Sequence, residues 1–178
     1  VIDQPEDVEL PAVERHGGRL WVANADEDTI TSIDLAKRRV ERSIDLRTID
    51  AQGYGTGPNA LAFSPDGARL YVAQATENEI AVVDLATSRV IGGIPTAWYP
   101  TAVAVSPDGK RLYVANAKGT GAGPTGPVHA QLRNGATVQL VDIPSDAQLA
   151  ELAARIDTMN ARSANLFDVD ARRFANPV

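Results

Sequence analysis

An internal repeat constrains the fold of this chain more than any other feature of its sequence. A segment with the pattern Leu-aromatic-Val-Ala-Asn/Gln occurs three times, beginning at Leu20, Leu70 and Leu112. The second and third copies are 42 residues apart, and the first and second are 50 residues apart. We therefore expect about eight inserted residues between Ile44 and Pro58. A regular period of this length indicates stacked copies of one supersecondary unit.

Each copy has the composition of short β-strands separated by turns. In the third copy, residues 102–105, 111–116 and 138–142 are rich in β-branched and other apolar side chains. Ser-Pro-Asp-Gly precedes the second and third copies, at 64–67 and 106–109, and its residues favour a tight turn. Four antiparallel strands in about 42 residues make one blade of a β-propeller. The sequence thus predicts an all-β fold, a partial β-propeller of about three four-stranded antiparallel blades.

Three blades are too few to close a ring, because propellers close with about four to eight blades. Within a propeller part that spans 1–143, we place the blades at about 11–46, 58–95 and 100–143. Both end blades should then have an open face of roughly 400 Å². Covering such a face with apolar surface is worth up to roughly 10 kcal/mol. We expect other propeller blades or protein subunits to cover the two faces.

After Pro144 the apolar period changes from that of a strand to that of a helix. Ser145 and Gln148 have the spacing of a capping box. An apolar stripe with helical spacing follows, at Leu149, Leu152, Ile156 and Met159. These residues predict a docking helix over 144–160, in the place of the third blade's outer strand. We expect an extended arm over 161–178.

The repeat resembles the YVTN family of β-propeller proteins. The resemblance rests on Leu-Tyr-Val-Ala-Asn at 112–116 and on the Asp-Leu-Ala-Thr end of the strand over 80–87, and it covers roughly 11–143. The block from Trp98 through a Gly/Pro-rich loop to the helix is similar to the end of the propeller in bacterial proteins that carry an alkaline-phosphatase-like phosphoesterase domain. That resemblance implies a catalytic domain outside this chain. None of its metal ligands or its nucleophile falls on a residue of this sequence.

Charge and hydropathy exclude two classes of partner. The net charge is −6 with a pI of about 4.9, so the chain lacks the basic surface that binds nucleic acid or anionic lipid. Its apolar runs are far shorter than the roughly 20 residues that cross a bilayer, and we expect no membrane insertion. The chain contains no cysteine and begins at Val1 rather than Met. We interpret it as a mature chain or a piece of a longer one, from a periplasmic or extracellular protein.

Two polar or glycine-rich segments have a functional and a structural interpretation. Asn24, Asp26 and Asp28 have the alternate spacing of a calcium loop. The equivalent residues of the second copy carry no charge and are Gln74, Thr76 and Asn78. We therefore expect a polar hairpin turn. The glycine-rich run at 53–57 is not followed by the helix that a phosphate-binding loop requires, so we expect a loop between blades.

The long loop from Lys118 to Asn134 is the segment most suited to carry function, because long loops within compact domains are often functional. Its candidate interaction residues are Lys118, Thr120, Pro124, Pro127 and His129. We favour binding over catalysis there. His16 has no second histidine or cysteine near it in sequence, and we expect it in a surface turn. The sequence predicts no catalytic residue, no cofactor and no metal ligand.

Two further positions recur with the repeat. Trp21, Tyr71 and Tyr113 occupy one position, for which we expect packing between blades. Asp34, Asp84 and Asp142 each end a predicted strand, and we expect them to cap turns.

Three functional hypotheses follow. The first is a non-catalytic protein-interaction or scaffold module, completed by other blades or subunits, so that this chain itself is not an enzyme. The second is the propeller portion of a secreted phosphoesterase. The third is a lactonase-like propeller enzyme that acts at the central channel. Such a site needs several polar groups from most blades of the ring, and three blades supply few of them.

Overall fold

The computed structural model describes residues 13–47, 55–119, 135–149 and 151–152. Within this part of the chain, eleven strands form three antiparallel sheets. The partial propeller predicted from the repeat is confirmed, with one sheet for each copy. No helix in the described ranges is both long enough and apolar enough to cross a bilayer.

The first sheet contains consecutive strands in the order β1-β2-β3-β4. These are β1 (Val13–His16), β2 (Arg19–Asn24), β3 (Thr29–Asp34) and β4 (Arg39–Asp45). Gly17 and Gly18 join β1 to β2 with φ values of 58° and 73°, as a two-residue hairpin turn of the primed type requires. Two glycines suffice for the turn, so the preceding residues extend into a strand.

The second and third sheets repeat this arrangement. The second has the order β5-β6-β7-β8, with β5 (Pro58–Phe63), β6 (Arg69–Gln74), β7 (Glu79–Asp84) and β8 (Arg89–Pro95). The third has the order β11-β10-β9, with β9 (Pro100–Val105), β10 (Arg111–Asn116) and β11 (Thr137–Asp142). In the described residues the third sheet has no strand beyond β11, so β11 forms an edge there.

The Ser-Pro-Asp-Gly segments form the predicted turns. The Ser64 hydroxyl donates to the Asp66 carboxylate (2.6 Å) and accepts a bond from the Arg69 N–H (2.9 Å). Gly67 takes a φ of 69°, which glycine adopts without strain. Ser106 and Asp108 repeat the first bond at 2.6 Å in the third blade. Hydrogen bonds from the Ser64 hydroxyl and the Ala68 N–H lower the pKa of Asp66.

Aspartates at the ends of β3 and β7 cap the turns that follow, as predicted. The Asp34 carboxylate accepts hydrogen bonds from the backbone N–H groups of Ala36 (3.0 Å) and Lys37 (2.9 Å). The bonds from the Lys37 backbone and ammonium hold the pKa of Asp34 at about 2. Asp84 is bonded in the same way to the N–H and hydroxyl of Thr87. The Asp142 carboxylate pairs with the Arg111 guanidinium at 3.2 Å, as the Asp84 carboxylate pairs with Arg69 at 3.2 Å.

The core lies between the blades rather than within any one of them. Alternate residues of each strand point to opposite faces of a sheet, so the middle blade packs on both neighbours. The cluster between the first and second blades contains Trp21, Ile30, Ile44, Leu70, Val72 and Val83. The cluster between the second and third contains Tyr71, Ile80, Val82, Ile94, Leu112 and Val114.

A helix, α1, begins after Ser145, and residues 146–149 and 151–152 are helical. The Gln148 side-chain oxygen accepts the Ser145 N–H at 2.9 Å, which is one of the two bonds of the predicted capping box, and it also accepts a bond from the Ser145 hydroxyl at 2.9 Å. Leu149 is 2% exposed and packs in the cluster between the second and third blades. Leu152 is partly buried, whereas Ile156, Met159 and the arm predicted over 161–178 lie outside the described residues.

Candidate functional site

The outward face of the third blade is apolar and open. Tyr113 on β10 lies opposite Leu140 on β11, and Val138 lies two residues from Leu140 on the same side of β11. The exposed fractions of Tyr113, Val138 and Leu140 are 41%, 70% and 63%. Along β11 these residues alternate with more buried ones, which indicates a sheet that is covered on one side. We call this surface the trailing face and define it by Tyr113, Val138 and Leu140.

The middle blade shows what a trailing face contacts when a blade follows it. At the positions equivalent to Tyr113, Val138 and Leu140 it carries Tyr71, Ile80 and Val82, which are all buried against the third blade. The expectation that the repeated aromatics pack between blades is confirmed for Trp21 and Tyr71, which are 4% and 3% exposed. Tyr113 is exposed because no blade in the described residues covers it.

The outward face of the first blade is the counterpart. Val13, Leu35 and Val40 are exposed there, and we call this surface the leading face. The equivalent residues of the second blade pack against the first blade and are Leu61, Leu85 and Val90. Every large hydrophobic side chain that is exposed in the described ranges belongs to one of the two faces. Such residues therefore concentrate where a neighbouring blade would cover them.

Polar contacts join the blades at the end where the β2–β3 and β6–β7 turns lie. The buried Asp28 carboxylate accepts bonds from the Thr56 hydroxyl (3.0 Å) and from the backbone N–H groups of Thr56 and Gly57. At the equivalent position of the second copy, the Asn78 side-chain oxygen accepts a bond from the Tyr99 N–H (2.9 Å). Each residue thus holds the segment that leads into the next blade.

The segment Asn24 to Asp28 is a polar hairpin turn, as we expected. The Asn24 amide donates to the hydroxyls of Thr29 (2.9 Å) and Thr31 (2.8 Å), whereas Asp28 faces the next blade. These contacts direct the two side chains to different neighbours rather than to a common ion. In the part of the chain that the structure describes, no three His, Asp or Glu side chains form a group that could hold a metal ion.

Of the five candidate residues of the interaction loop, Lys118 is the one that lies in the described ranges. Its ammonium lies 3.7 Å from the Tyr99 ring centroid and 5.5 Å from that of Trp98, which are cation–π contacts. Backbone bonds between Trp98 and Gly119 and between Ala117 and Tyr99 fix the base of the loop. The other loop candidates, Thr120, Pro124, Pro127 and His129, lie outside the described residues.

Tyr99 has an unusual backbone conformation next to this loop. Its φ is 64°, where the second blade has Gly57 with a φ of 57°. A left-handed conformation strains a tyrosine but not a glycine. The Asn78 contact and the Lys118 ammonium hold Tyr99 in place.

His16 is a structural residue that the sequence placed wrongly. It is the last residue of β1, and its ring stacks on Phe63 of β5 with 4.2 Å between the ring centroids. A side chain at Gly67 would come within 2.7 Å of the His16 ring. The histidine is therefore packed between the first and second blades. The sequence signal for this packing was that His16 ends a strand that begins at Val13, which places its side chain on the face opposite that of Val13.

Comparison with known proteins shows that the chain is similar to β-propeller proteins. Residues 11–119 match the family model described as "Lactonase, 7-bladed beta-propeller". Among solved structures, Kuenenia stuttgartiensis hydrazine synthase is similar, with a TM-score of 0.52 and 30% identity over 60% of this chain and 28% of that chain. Among curated proteins, none matches this chain.

A second solved structure supports the fold alone. The β-propeller domain of Myceliophteria thermophila Cps50 (Swd1) has a TM-score of 0.51 and 16% identity, over 77% of this chain and 41% of that chain. The chain thus spans less than half the length of either solved relative. The family model, however, matches more than half of this chain and covers the first two blades and β9 and β10 of the third. The chain belongs to the seven-bladed β-propeller lactonase family.

Proposed function

We propose that this chain is a non-catalytic interaction module whose leading and trailing faces are covered by further blades or by other protein subunits. The observation that carries the proposal is the distribution of exposed apolar residues. Those of the trailing face occupy the positions of Tyr71, Ile80 and Val82, which are buried between blades in the middle of the molecule. A face with side chains of the same apolar character has a similar tendency to leave water.

The energy of covering these faces is large enough to drive association. Each face measures roughly 400 Å², so its burial contributes up to roughly 10 kcal/mol at about 25 cal/mol per Å². An open apolar surface of this size is at the upper end of what soluble monomers expose, about 300–600 Å².

The test is one variant that makes the trailing face polar, compared with a matched control variant. We expect wild-type protein to bind an apolar fluorescent dye or to self-associate, and Leu140→Lys to reduce both. Ala86→Lys is the matched control, because Ala86 is exposed in the β7–β8 turn and the change in charge is the same. Equal dye binding and equal association in all three proteins, each checked for folding by circular dichroism, would contradict the proposal.

A second candidate function is lactone hydrolysis by a completed ring, which the family match supports. Its chemistry needs polar side chains from several blades at the central channel. The assay is hydrolysis of a simple aliphatic lactone by this chain and by any longer protein that contains it. Turnover by the longer protein alone would favour this function for the completed ring, and no turnover by either would count against it.

The resemblance to YVTN propellers coupled to phosphoesterases supports a third candidate. In that arrangement the catalytic domain lies outside this chain, which is then a periplasmic or extracellular module. Sequencing the coding region on both sides decides this point, since a metal-binding phosphoesterase domain has to be encoded there.

A further inference from the structure

The outer edge of β11 is unpaired in the described residues. In the first two blades the third strand pairs on both sides, and its outer neighbour is β4 or β8. At the turn end of each pairing an arginine lies opposite an aspartate. The pairs are Arg39–Asp34 and Arg89–Asp84. The equivalent Asp142 side chain is 88% exposed, whereas those of Asp34 and Asp84 are 16% and 23% exposed.

Pro144 explains why the chain does not turn from β11 directly into an outer strand. After β3, the Asp34 carboxylate accepts the Ala36 N–H (3.0 Å), which helps to close the turn that leads into β4. Pro144 occupies the position of Ala36, two residues after the aspartate, and has no N–H to donate. This bond therefore cannot form after Asp142, and the chain enters α1. Any outer strand on β11 must come from another segment.

A segment near the end of the sequence repeats the turn and the start of the outer strand. Residues 34–40 are Asp-Leu-Ala-Lys-Arg-Arg-Val, and 84–90 are Asp-Leu-Ala-Thr-Ser-Arg-Val. Residues 168–174, outside the described ranges, are Asp-Val-Asp-Ala-Arg-Arg-Phe and have the same aspartate, arginine and apolar positions. An aliphatic residue follows five positions after the last arginine of each segment. These residues are Ile44, Ile94 and Val178.

A small cavity lies in the core between the second and third blades. Between the first and second blades, Leu85 and Val90 pack against the core cluster, to which Trp21 and Ile44 belong. The equivalents of Leu85, Trp21 and Ile44 line the cavity, and they are Ile143, Tyr71 and Ile94. The equivalent of Val90 is Phe174, a larger apolar side chain that suits this space.

From these observations we propose that residues 173–178 pair antiparallel with β11 and form the outer strand of the third blade. The register of β7 and β8 gives the opposing pairs Arg173–Asp142, Phe174–Val141 and Val178–Val138. The connection is long enough, because the 20 residues between 152 and 173 span up to roughly 65 Å when extended. A six-residue strand is roughly 20 Å long. In this arrangement α1 is an insertion between β11 and its outer neighbour.

The pairing has a consequence for the association of this chain with other proteins. An unpaired strand edge offers its N–H and C=O groups to other chains and promotes aggregation. A strand from the same chain occupies those groups and directs association to the leading and trailing faces. The pairing itself does not depend on what covers these two faces.

The first test is disulfide formation between introduced cysteines, because the chain has no cysteine of its own. Val138→Cys combined with Val178→Cys should form an intramolecular disulfide, since opposite residues of antiparallel strands have Cβ atoms about 4.5–5.5 Å apart. Val13→Cys combined with Val178→Cys is the matched control, because Val13 is exposed on the leading face of the first blade. Mass spectrometry after thiol labelling should find no free thiol in the first protein and two in the control.

Three outcomes of the cysteine experiment would overturn the proposed pairing. Two free thiols in both proteins would show that 178 does not lie beside 138. A disulfide in both proteins would show that position 178 has no fixed neighbour. A disulfide between two chains would show that the strand on β11 comes from another copy.

Hydrogen exchange along β11 is a second test, which needs no cysteine. In the proposed pairing β10 protects alternate amides of β11 and residues 173–178 protect the others. Phe174→Glu places a charge in the core and should speed exchange at the second set by roughly 10-fold or more. Ala175→Glu is the control, because the first blade carries Glu41 at the equivalent position, and it should exchange like the wild type.

The amides of β6 in the second blade serve as the reference for global folding in this experiment. If alternate β11 amides exchange rapidly in the wild type while β6 is protected, residues 173–178 do not pair with β11. Equal exchange along β11 in Phe174→Glu and Ala175→Glu would also contradict the pairing.

Discussion

At the scale of single residues, polar side chains with a left-handed backbone connect one blade to the next. Asp28 and Asn78 both have a φ of 55°, a conformation that aspartate and asparagine tolerate better than most residues. That conformation directs their side chains to the segment that enters the following blade. A repeated hairpin residue is therefore also the link between repeats.

Replacing Asp28 tests this role. Asp28→Ala removes the acceptor for the Thr56 N–H, the Thr56 hydroxyl and the Gly57 N–H, and Thr56 is buried. We expect a loss of about 1.5–3 kcal/mol in the free energy of unfolding. Asp28→Asn retains an acceptor oxygen and matches the residue that the second blade carries, so it should cost less than about 1 kcal/mol. Urea denaturation measures both, and equal losses in the two variants would contradict the assignment.

The turn aspartates make stability depend on pH in the acid range. The pKa of Asp34 is lowered from 3.8 to about 2, first by its hydrogen bonds from Lys37. Its contribution to stability is complete above the ordinary carboxyl pKa and is lost as pH falls through the folded value. The thermal midpoint should therefore decrease between about pH 4 and pH 2.

Asp34→Asn is the control for this pH dependence. The variant has no carboxyl group at position 34, so its thermal midpoint should fall less steeply over the same pH interval. Scanning calorimetry of both proteins at several pH values makes the comparison. Identical slopes would show that Asp34 does not contribute.

Residues with local partners were predictable, and residues with distant partners were not. The Ser64 turn and the Asp34 cap are bonded to residues within a few positions, so the sequence pattern contains the whole interaction. Asp28 contacts Thr56, 28 residues away, across an insertion that the second blade lacks. His16 was misplaced for the same reason, since its partner Phe63 is in the next blade.

At the scale of elements, α1 packs on the second blade beside its outer strand, β8. Leu149 packs with Val82 and Ile94 of the second blade, and the Asp146 carboxylate pairs with Arg69 at 3.1 Å. The sequence predicted this helix from its capping box and apolar stripe. The repeat alone could not have predicted a helix here, because it favours a fourth strand after β11.

Gly92 provides a test of helix docking. A Cβ at this position would lie 2.9 Å from the Leu149 Cβ, closer than two carbon atoms pack. Gly92→Ala should therefore displace α1, and because the φ of Gly92 is 158° it also strains the backbone, so the free energy of unfolding should fall by about 1–3 kcal/mol. Gly135→Ala is the control, since no atom lies within 4 Å of its added Cβ, and it should change stability by less than about 0.5 kcal/mol. Chemical denaturation of both variants gives the comparison.

At the scale of the whole molecule, the three blades of the described residues share two internal junctions, and no described residue covers the two half-junctions at their ends. The sequence predicted the blades and the open faces, because the repeat specifies both. It did not predict Val138 and Leu140 as surface residues. The pattern of apolar residues along β11 would be identical if a further blade covered that face. Only the position of the third blade at the end of the array distinguishes Tyr113 from Tyr71.

Hydroxyl-radical footprinting of the tyrosines tests most directly the claim that the end faces are blade junctions. Tyr71 is buried between blades and serves as an internal reference, whereas Tyr113 is 41% exposed in the single chain. The account predicts that Tyr113 is labelled far more strongly than Tyr71 in the single chain and is protected almost as well as Tyr71 in a complex or longer protein that supplies the neighbouring blade. Strong labelling of Tyr113 in that complex or longer protein, equal to that in the single chain, would contradict it.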